Sequence, residues 1–310
     1  MNGKNKVFIF DITRPHIHTP KLTTMKTIGM IFLILLSSGL CSQTFIADRT
    51  EVSGTWSKKG SPYYVDGQAI IPEGKTLVIK QGTVVKFRTC NVHDINDDGF
   101  NCGYLRVNGI LVAKGKSSDF ITFTRDGNTG FWGIVYIDSR QSGNILEYCR
   151  VEYSYFVRHI ITLINCKQDS RVMDNATGGF TFHSSTGTVR NCLLVDNGWT
   201  GINCKQDSRV MVENCVIANN NYGIECNSGS TAMVTSTIIW QNNQAVFING
   251  EGSVEISYSL YQDNEPEDGM VDNGFTLWEV DPMLTSDYRL MESSPCIKRG
   301  IKGKNIGLSY

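Results

Sequence analysis

The chain has 310 residues, 41% hydrophobic and 19% charged, which is enough apolar material for a sizeable core and too much for a disordered chain. Its formal net charge is −1, which argues against a partner held by bulk charge, such as nucleic acid or an anionic membrane. No charge run or Pro-rich linker marks off a second domain.

The first informative segment is Met25–Gln43, "MKTIGMIFLILLSSGLCSQ". A Lys precedes an apolar core over residues 28–36, and small and polar residues follow, the pattern of a secretory signal peptide. The apolar run is short for a membrane span, and no second one follows. Residues 1–42 therefore read as a leader, with Met1 and Met25 competing as the start. A lipid anchor on Cys41 would want a small residue before it, and Leu40 stands there. Removing residues 1–42 takes away five Lys/Arg and one Asp, which moves the net charge to −5. The expected location is outside the cytoplasm: secreted, periplasmic or at the cell surface.

Residues 43–144 read as an amino-terminal cap and irregular first coils. Short β-branched runs are broken by Gly82 in "TLVIKQGTVVKF" and by Gly109 in "LRVNGILVAKG". Between them lies "CNVHDINDDGFNC", Cys90–Cys102. Asp94, Asn96 and Asp98 alternate and Gly99 follows, which is the opening of a calcium loop. The twelfth position wants Glu and holds Leu105. The competing reading is a polar turn closed by a Cys90–Cys102 disulfide. Calcium is the one cofactor the sequence suggests; otherwise none is expected.

Residues 145–264 repeat. Segments starting at Gly179, Gly201, Gly223 and Ala245 follow one another at 22-residue spacing. One column reads Phe180, Ile202, Ile224, Val246; a second Phe182, Cys204, Cys226, Ile248. A third reads Leu146, Val189, Val212, Val234, Ile256. A small-residue column runs Cys149, Cys192, Cys215, Thr237, Ser259, and a fifth Val151, Leu194, Ile217, Ile239, Tyr261. Apolar residues alternate over three to five positions and then reset, which predicts short strands and corners rather than helices. Asn197, Asn220, Asn242 and Asn264 form a corner column, where Asn tolerates tight dihedrals and stacked amides can bond. The prediction is an all-β parallel solenoid with three short strands per coil of about 22 residues. Most of the ten Cys then become small core residues rather than disulfides.

The decapeptide "INCKQDSRVM" occurs at 164–173 and again at 202–211. It reads as a rung and a half of coil, with Ile202, Cys204 and Val210 inward and Lys205–Ser208 as a corner. The two copies would lie two coils apart, with a shortened coil between.

The order "GTW…YYVDGQAIIPEGKTLVIKQGTVVKF", "LRVNGILVAKG", "ITFT", "WGIVYI", "LEYCRVEYS" resembles exported right-handed parallel β-helix repeat proteins of Bacteroidetes type, with the pectin-lyase-like fold. The closing "DPMLTSDYRLMESSPCIKRGIKGKNIG" is similar to that family's last segment, so residues 265–310 are expected to form a final coil and a cap over it. The resemblance is specific for fold and weak for function, because the fold carries lyases, hydrolases, adhesins and inert scaffolds.

Carbohydrate-active relatives use stacked carboxylates on one outer face. Here the outward positions read Thr181, Asn203, Glu225, Phe247 and His183, Lys205, Asn227, Asn249, without an Asp stack. The binding candidates are Lys167, His183 and Lys205, a basic stripe suited to uronate or sulfate. No residue is assigned a catalytic role. Trp132, Trp199, Trp240 and Tyr222 are candidate sugar-stacking surfaces or lids over the core. The sequence thus favours a non-catalytic exported solenoid binding a polysaccharide or cell-surface glycan. The alternative is a polysaccharide lyase or glycoside hydrolase acting on an acidic polysaccharide.

Overall fold

The structure, a computed structural model, describes residues 43–90, 102–155, 178–263 and 267–308. Three parallel sheets of ten, eight and nine strands account for nearly all regular structure among these residues. Each coil contributes one strand to each sheet in a fixed order. In one coil Thr200–Lys205 joins the eight-stranded sheet, Arg209–Glu213 the nine-stranded and Val216–Ala218 the ten-stranded.

The repeat columns are the sheet registers. Phe180, Ile202, Ile224 and Val246 pair in succession, as do Phe182, Cys204, Cys226 and Ile248. Val189, Val212, Val234 and Ile256 do the same on the nine-stranded sheet. Leu194, Ile217, Ile239 and Tyr261 follow on the ten-stranded sheet. Nearly all these side chains are buried in one core running along the axis. Burying one Val, Ile or Leu contributes about 1.5–3 kcal/mol, and neighbouring coils supply the burial. Cys149, Cys192, Cys204, Cys215 and Cys226 are free, buried thiols within that core. Burial pushes the Cys192 and Cys215 thiols well up. Cys204 is pushed up by its hydrogen bond with Cys226 and by burial.

Corners are closed by left-handed residues and by ladders. Between the nine- and ten-stranded sheets Tyr148, Asn191, Asn214, Ser236 and Tyr258 all have φ near +50°. The turn into the eight-stranded sheet uses Asp196, Asn219 and Gln241 in the same conformation. Side chains that tolerate this region are mostly Asn and Asp, which explains part of the Asn enrichment. Asn197, Asn220 and Asn242 themselves have ordinary φ; they are the ladder rather than the bend. Asn220 Oδ1 accepts from Asn197 N and Nδ2, both at 3.0 Å, and its Nδ2 donates to Asn242 Oδ1 at 3.0 Å and Leu194 O at 3.1 Å. Asn264 falls outside the described residues; Gln262 Oε1 takes the next place, accepting from Asn242 N at 2.7 Å. Ser139, Ser185, Ser208 and Ser230 form a second ladder of backbone N–H to hydroxyl bonds at another corner.

The same three sheets run through residues 43–144, and what varies there is corner length. Gly109 sits where a Cβ would run into the carbonyl oxygens of Pro72 and Lys75. The two longest connections, residues 88–103 and 153–179, occur at the same corner, from the ten- to the eight-stranded sheet. Across the second, Val135–Ile137 pairs directly with Phe180–Phe182, Leu146 with Val189, and Val151 with Leu194. No rung is left between these coils for the first copy of the decapeptide, which lies outside the described residues. In the second copy Lys205 ends a strand, and the corner is Gln206–Ser208.

The carboxy-terminal segment is laid out differently from the expected cap. It runs along the outer face of the ten-stranded sheet, where Cys296, Ile306 and Leu308 cover Leu193, Val195, Val216, Ala218, Ile238 and Leu260. Gly307 N donates to Ser236 O at 2.7 Å, and Asn219 Nδ2 to Tyr288 Oη at 2.8 Å. The covered strands of that sheet, Leu193–Val195, Val216–Ala218 and Leu260–Tyr261 among them, are therefore apolar on both faces, as covered parallel strands are. Burial pushes the Cys296 thiol up to about 11.

Candidate functional site

The outer face of the eight-stranded sheet is where strand geometry puts two parallel outward columns. One runs Arg106, Tyr136, Thr181, Asn203, Glu225, Phe247. In the other, His183 pairs with Lys205 on the next coil, and Asn227 with Asn249 further on. Parallel strands hold successive side chains about 4.8 Å apart, so each column is a continuous row.

Along one side of these columns lies an aromatic ledge. Trp199 immediately precedes its strand, Tyr222 opens the next, and Phe247 stands on the coil after that. Tyr222 and Phe247 are stacked with centroids 4.7 Å apart, and Trp199 meets Tyr222 edge-on at 5.3 Å. Together with His183, Lys205 and Glu225 they line a groove of about 400 Å³.

Glu225 is the floor of that groove. Asn203 Nδ2 donates to its Oε2 at 3.0 Å, and Asn227 Nδ2 to its Oε1 at 3.1 Å. Burial raises its carboxyl above the usual carboxylate range, and Lys205, Trp199 and Asn227 pull against that rise. Asn203 Oδ1 is a buried acceptor without a hydrogen-bond partner. Lys205, the last residue of its strand, is itself largely buried and lines the groove.

His183 Nδ1 lies 3.5 Å from Asp138 Oδ1, without hydrogen-bond geometry. Asp138 Oδ2 also faces Arg106 at 3.5 Å. On the amino-terminal side of His183, the neighbouring rung thus presents Asp138. Lys167, the third member of the expected stripe, lies outside the described residues, as do Asp94, Asn96 and Asp98 of the expected calcium loop. Leu105, at that loop's twelfth position, is a fully buried strand residue. Cys90 and Cys102 form a disulfide, Cα atoms 5.0 Å apart.

The aromatic candidates separate. Trp199 and Tyr222 line the groove. Trp132 is wholly in the core, stacked on Phe87 at 4.1 Å, with Nε1 donating to Glu152 O at 2.7 Å. Trp240 sits under the carboxy-terminal segment, beside a second cavity of about 390 Å³ that includes Met283 and Met291. The sequence reading placed Glu225 and Phe247 outward without assigning them to the site. Their signal was in their neighbours: Asn203 one rung away and Asn227 on the same strand for Glu225, and Tyr222 one rung away for Phe247.

Three in-register parallel sheets and one axial core define the chain as a right-handed parallel β-helix with three strands per coil. Residues 132–282 match the family model described as a right handed beta helix region, a stretch that contains every residue lining the groove. No curated protein matches the chain, and no solved structure does.

Proposed function

We propose that this protein is an exported, non-catalytic β-helix that binds glycan chains in the groove on its eight-stranded sheet. The observation that carries this reading is the ledge of Trp199, Tyr222 and Phe247 running beside a hydrogen-bonding floor of Glu225, Lys205 and Asn227. Aromatic faces stack on the apolar faces of sugar rings, and fixed polar groups read the hydroxyls. Export is supported by the leader-like residues 1–42 and by the Cys90–Cys102 disulfide, which needs an oxidising compartment to persist.

A hydrolase would want two carboxylates across one bond. Among the described residues Glu225 is the one carboxylate lining the groove, and Asp138 stands three rungs off, roughly 14 Å at the spacing of paired strands. The test is a panel of polysaccharides incubated with the protein, with binding measured by affinity electrophoresis. Retardation that Tyr222→Ala and Phe247→Ala each weaken by about tenfold or more supports the reading. New reducing ends, or absorbance from unsaturated products, would replace it with an enzyme.

A further inference from the structure

We infer that the groove is built for an uncharged glycan and discriminates against acidic ones, with Glu225 as the residue that sets this preference. The inference rests on the glycan-binding reading above and specifies its ligand.

The charges on this face cancel. Lys205 has the Glu225 carboxylate close enough to feel its field, and His183, a cation only if protonated, has Asp138 at 3.5 Å. Asp138 in turn faces Arg106. The rung before His183 contributes a negative group, so the described face offers no uncompensated cationic row for uronates or sulfates. A uronate entering beside Glu225 would instead meet a like charge in a partly desolvated groove, where repulsion is stronger than in bulk water.

Glu225 is also posed for hydroxyls. A carboxylate accepts at about four lone-pair positions; Asn203 and Asn227 take one on each oxygen, and the Trp199 side chain also bonds to the carboxylate. These donors fix the plane of the carboxylate and leave it acceptor capacity to spare. A sugar hydroxyl can donate to what remains. Charge-assisted bonds of this kind are roughly twice as strong as neutral ones. Acceptors thus outnumber fixed cations at the floor, which suits a ligand bringing O–H donors rather than anionic oxygens. The ledge follows the coil repeat of about 4.8 Å, a step comparable to one sugar residue along a chain.

The experiment uses the full chain from Ser42 onward. Calorimetry and affinity electrophoresis are run with two neutral polymers, galactomannan and mixed-linkage glucan. They are also run with three acidic ones, pectate, alginate and chondroitin sulfate. Each is tested at about 50 and about 500 mM NaCl, which spans weak to strong screening. The expected result is binding of a neutral polymer with affinity unchanged by salt, at least about tenfold tighter than any acidic one. Glu225→Gln should weaken neutral binding by about tenfold and narrow the gap to the acidic polymers. Far-UV circular dichroism checks that the variant is folded, and Phe247→Ala, on a half-exposed side chain, gives a second perturbation of the same groove. Tighter, salt-sensitive binding of an acidic polymer that Phe247→Ala weakens would overturn the inference and leave the glycan reading standing. Neutral binding indifferent to Glu225→Gln would overturn the inference as well. Failure of all five polymers to bind would remove both.

Discussion

Asn220 shows how much one side chain carries in a coil. Its amide and backbone N–H together make five hydrogen bonds, to Asn197, Asn242 and Leu194. Asn220→Leu would leave buried partners on two neighbouring coils unpaired, each worth about 1–3 kcal/mol. The expected outcome is a loss of roughly 2–5 kcal/mol, read as a lower urea midpoint with unchanged slope. Glu225 gives a pH signature instead. Its folded-state carboxyl lies above the ordinary value of 4.5, so folding favours the protonated form. That contribution is fully present below pH 4.5 and is lost as pH rises through the folded value. Glu225→Gln should therefore gain stability over the parent on going from pH 4 to pH 7. Melting curves of both proteins at the two pH values check this, and an equal difference at both would contradict it. The outward placement of these residues was readable from the repeat, because a period of 22 fixes which side chains share a column. What Asn203 and Asn227 do to Glu225 was not readable, since it depends on side-chain torsions across a rung. Phe247 was hidden for a related reason: it stands in a column of polar residues, and only its contact with Tyr222 marks it as part of the ledge.

At the scale of elements, the coils and the carboxy-terminal segment follow different logic. The strands announce themselves by alternation and by repetition. The carboxy-terminal segment has neither period nor long strands, and Leu284 and Leu290 meet only in an isolated bridge. Its path was therefore expected over the last coil, whereas Ile306 and Leu308 return to strands more than a hundred residues earlier in the chain, at Leu193 and Val195. The clue available in the sequence was the continuous apolar character of those strands, such as "LLV" and "VIA", since a solvated outer face would alternate. Ending the chain at Gly300 removes Ile306 and Leu308 from that face. The expected cost is roughly 3–6 kcal/mol from lost burial. Increased binding of a hydrophobic dye and a lower Tm would report it; a Tm equal to that of the full chain would show that the segment is dispensable.

For the whole molecule, stability is a sum over neighbouring coils rather than a single global lock. Thr200–Lys205 and Tyr222–Asn227 have partners on both sides; Gln244–Asn249 is the last strand of the eight-stranded sheet, and the two terminal strands of the other sheets, Met270–Asp272 and Leu277–Trp278, each pair on one side among the described residues. Hydrogen exchange should therefore be slowest in Thr200–Lys205 and Tyr222–Asn227. It should be about tenfold or more faster in the two terminal strands, measured by peptide-resolved mass spectrometry. Uniform protection along the axis would mean that the coils open together. The groove floor, Lys205, Glu225 and Asn227, lies in these doubly paired strands, while Phe247 of the ledge stands on the last strand of its sheet.

The buried thiols have a consequence for how the chain is made. The described residues hold one disulfide and six free cysteines, each of the six sealed in a packed interior. If the chain is exported as proposed, it enters an oxidising compartment unfolded and offers many wrong pairings for one right one. Stacking must therefore outrun oxidation, so that the thiols are hidden before an oxidant reaches them. Refolding yield should accordingly be higher when reductant is present during collapse and withdrawn afterwards than when glutathione disulfide is present from the start. Oxidative folding of this chain is a race in which coil stacking itself acts as the protecting group.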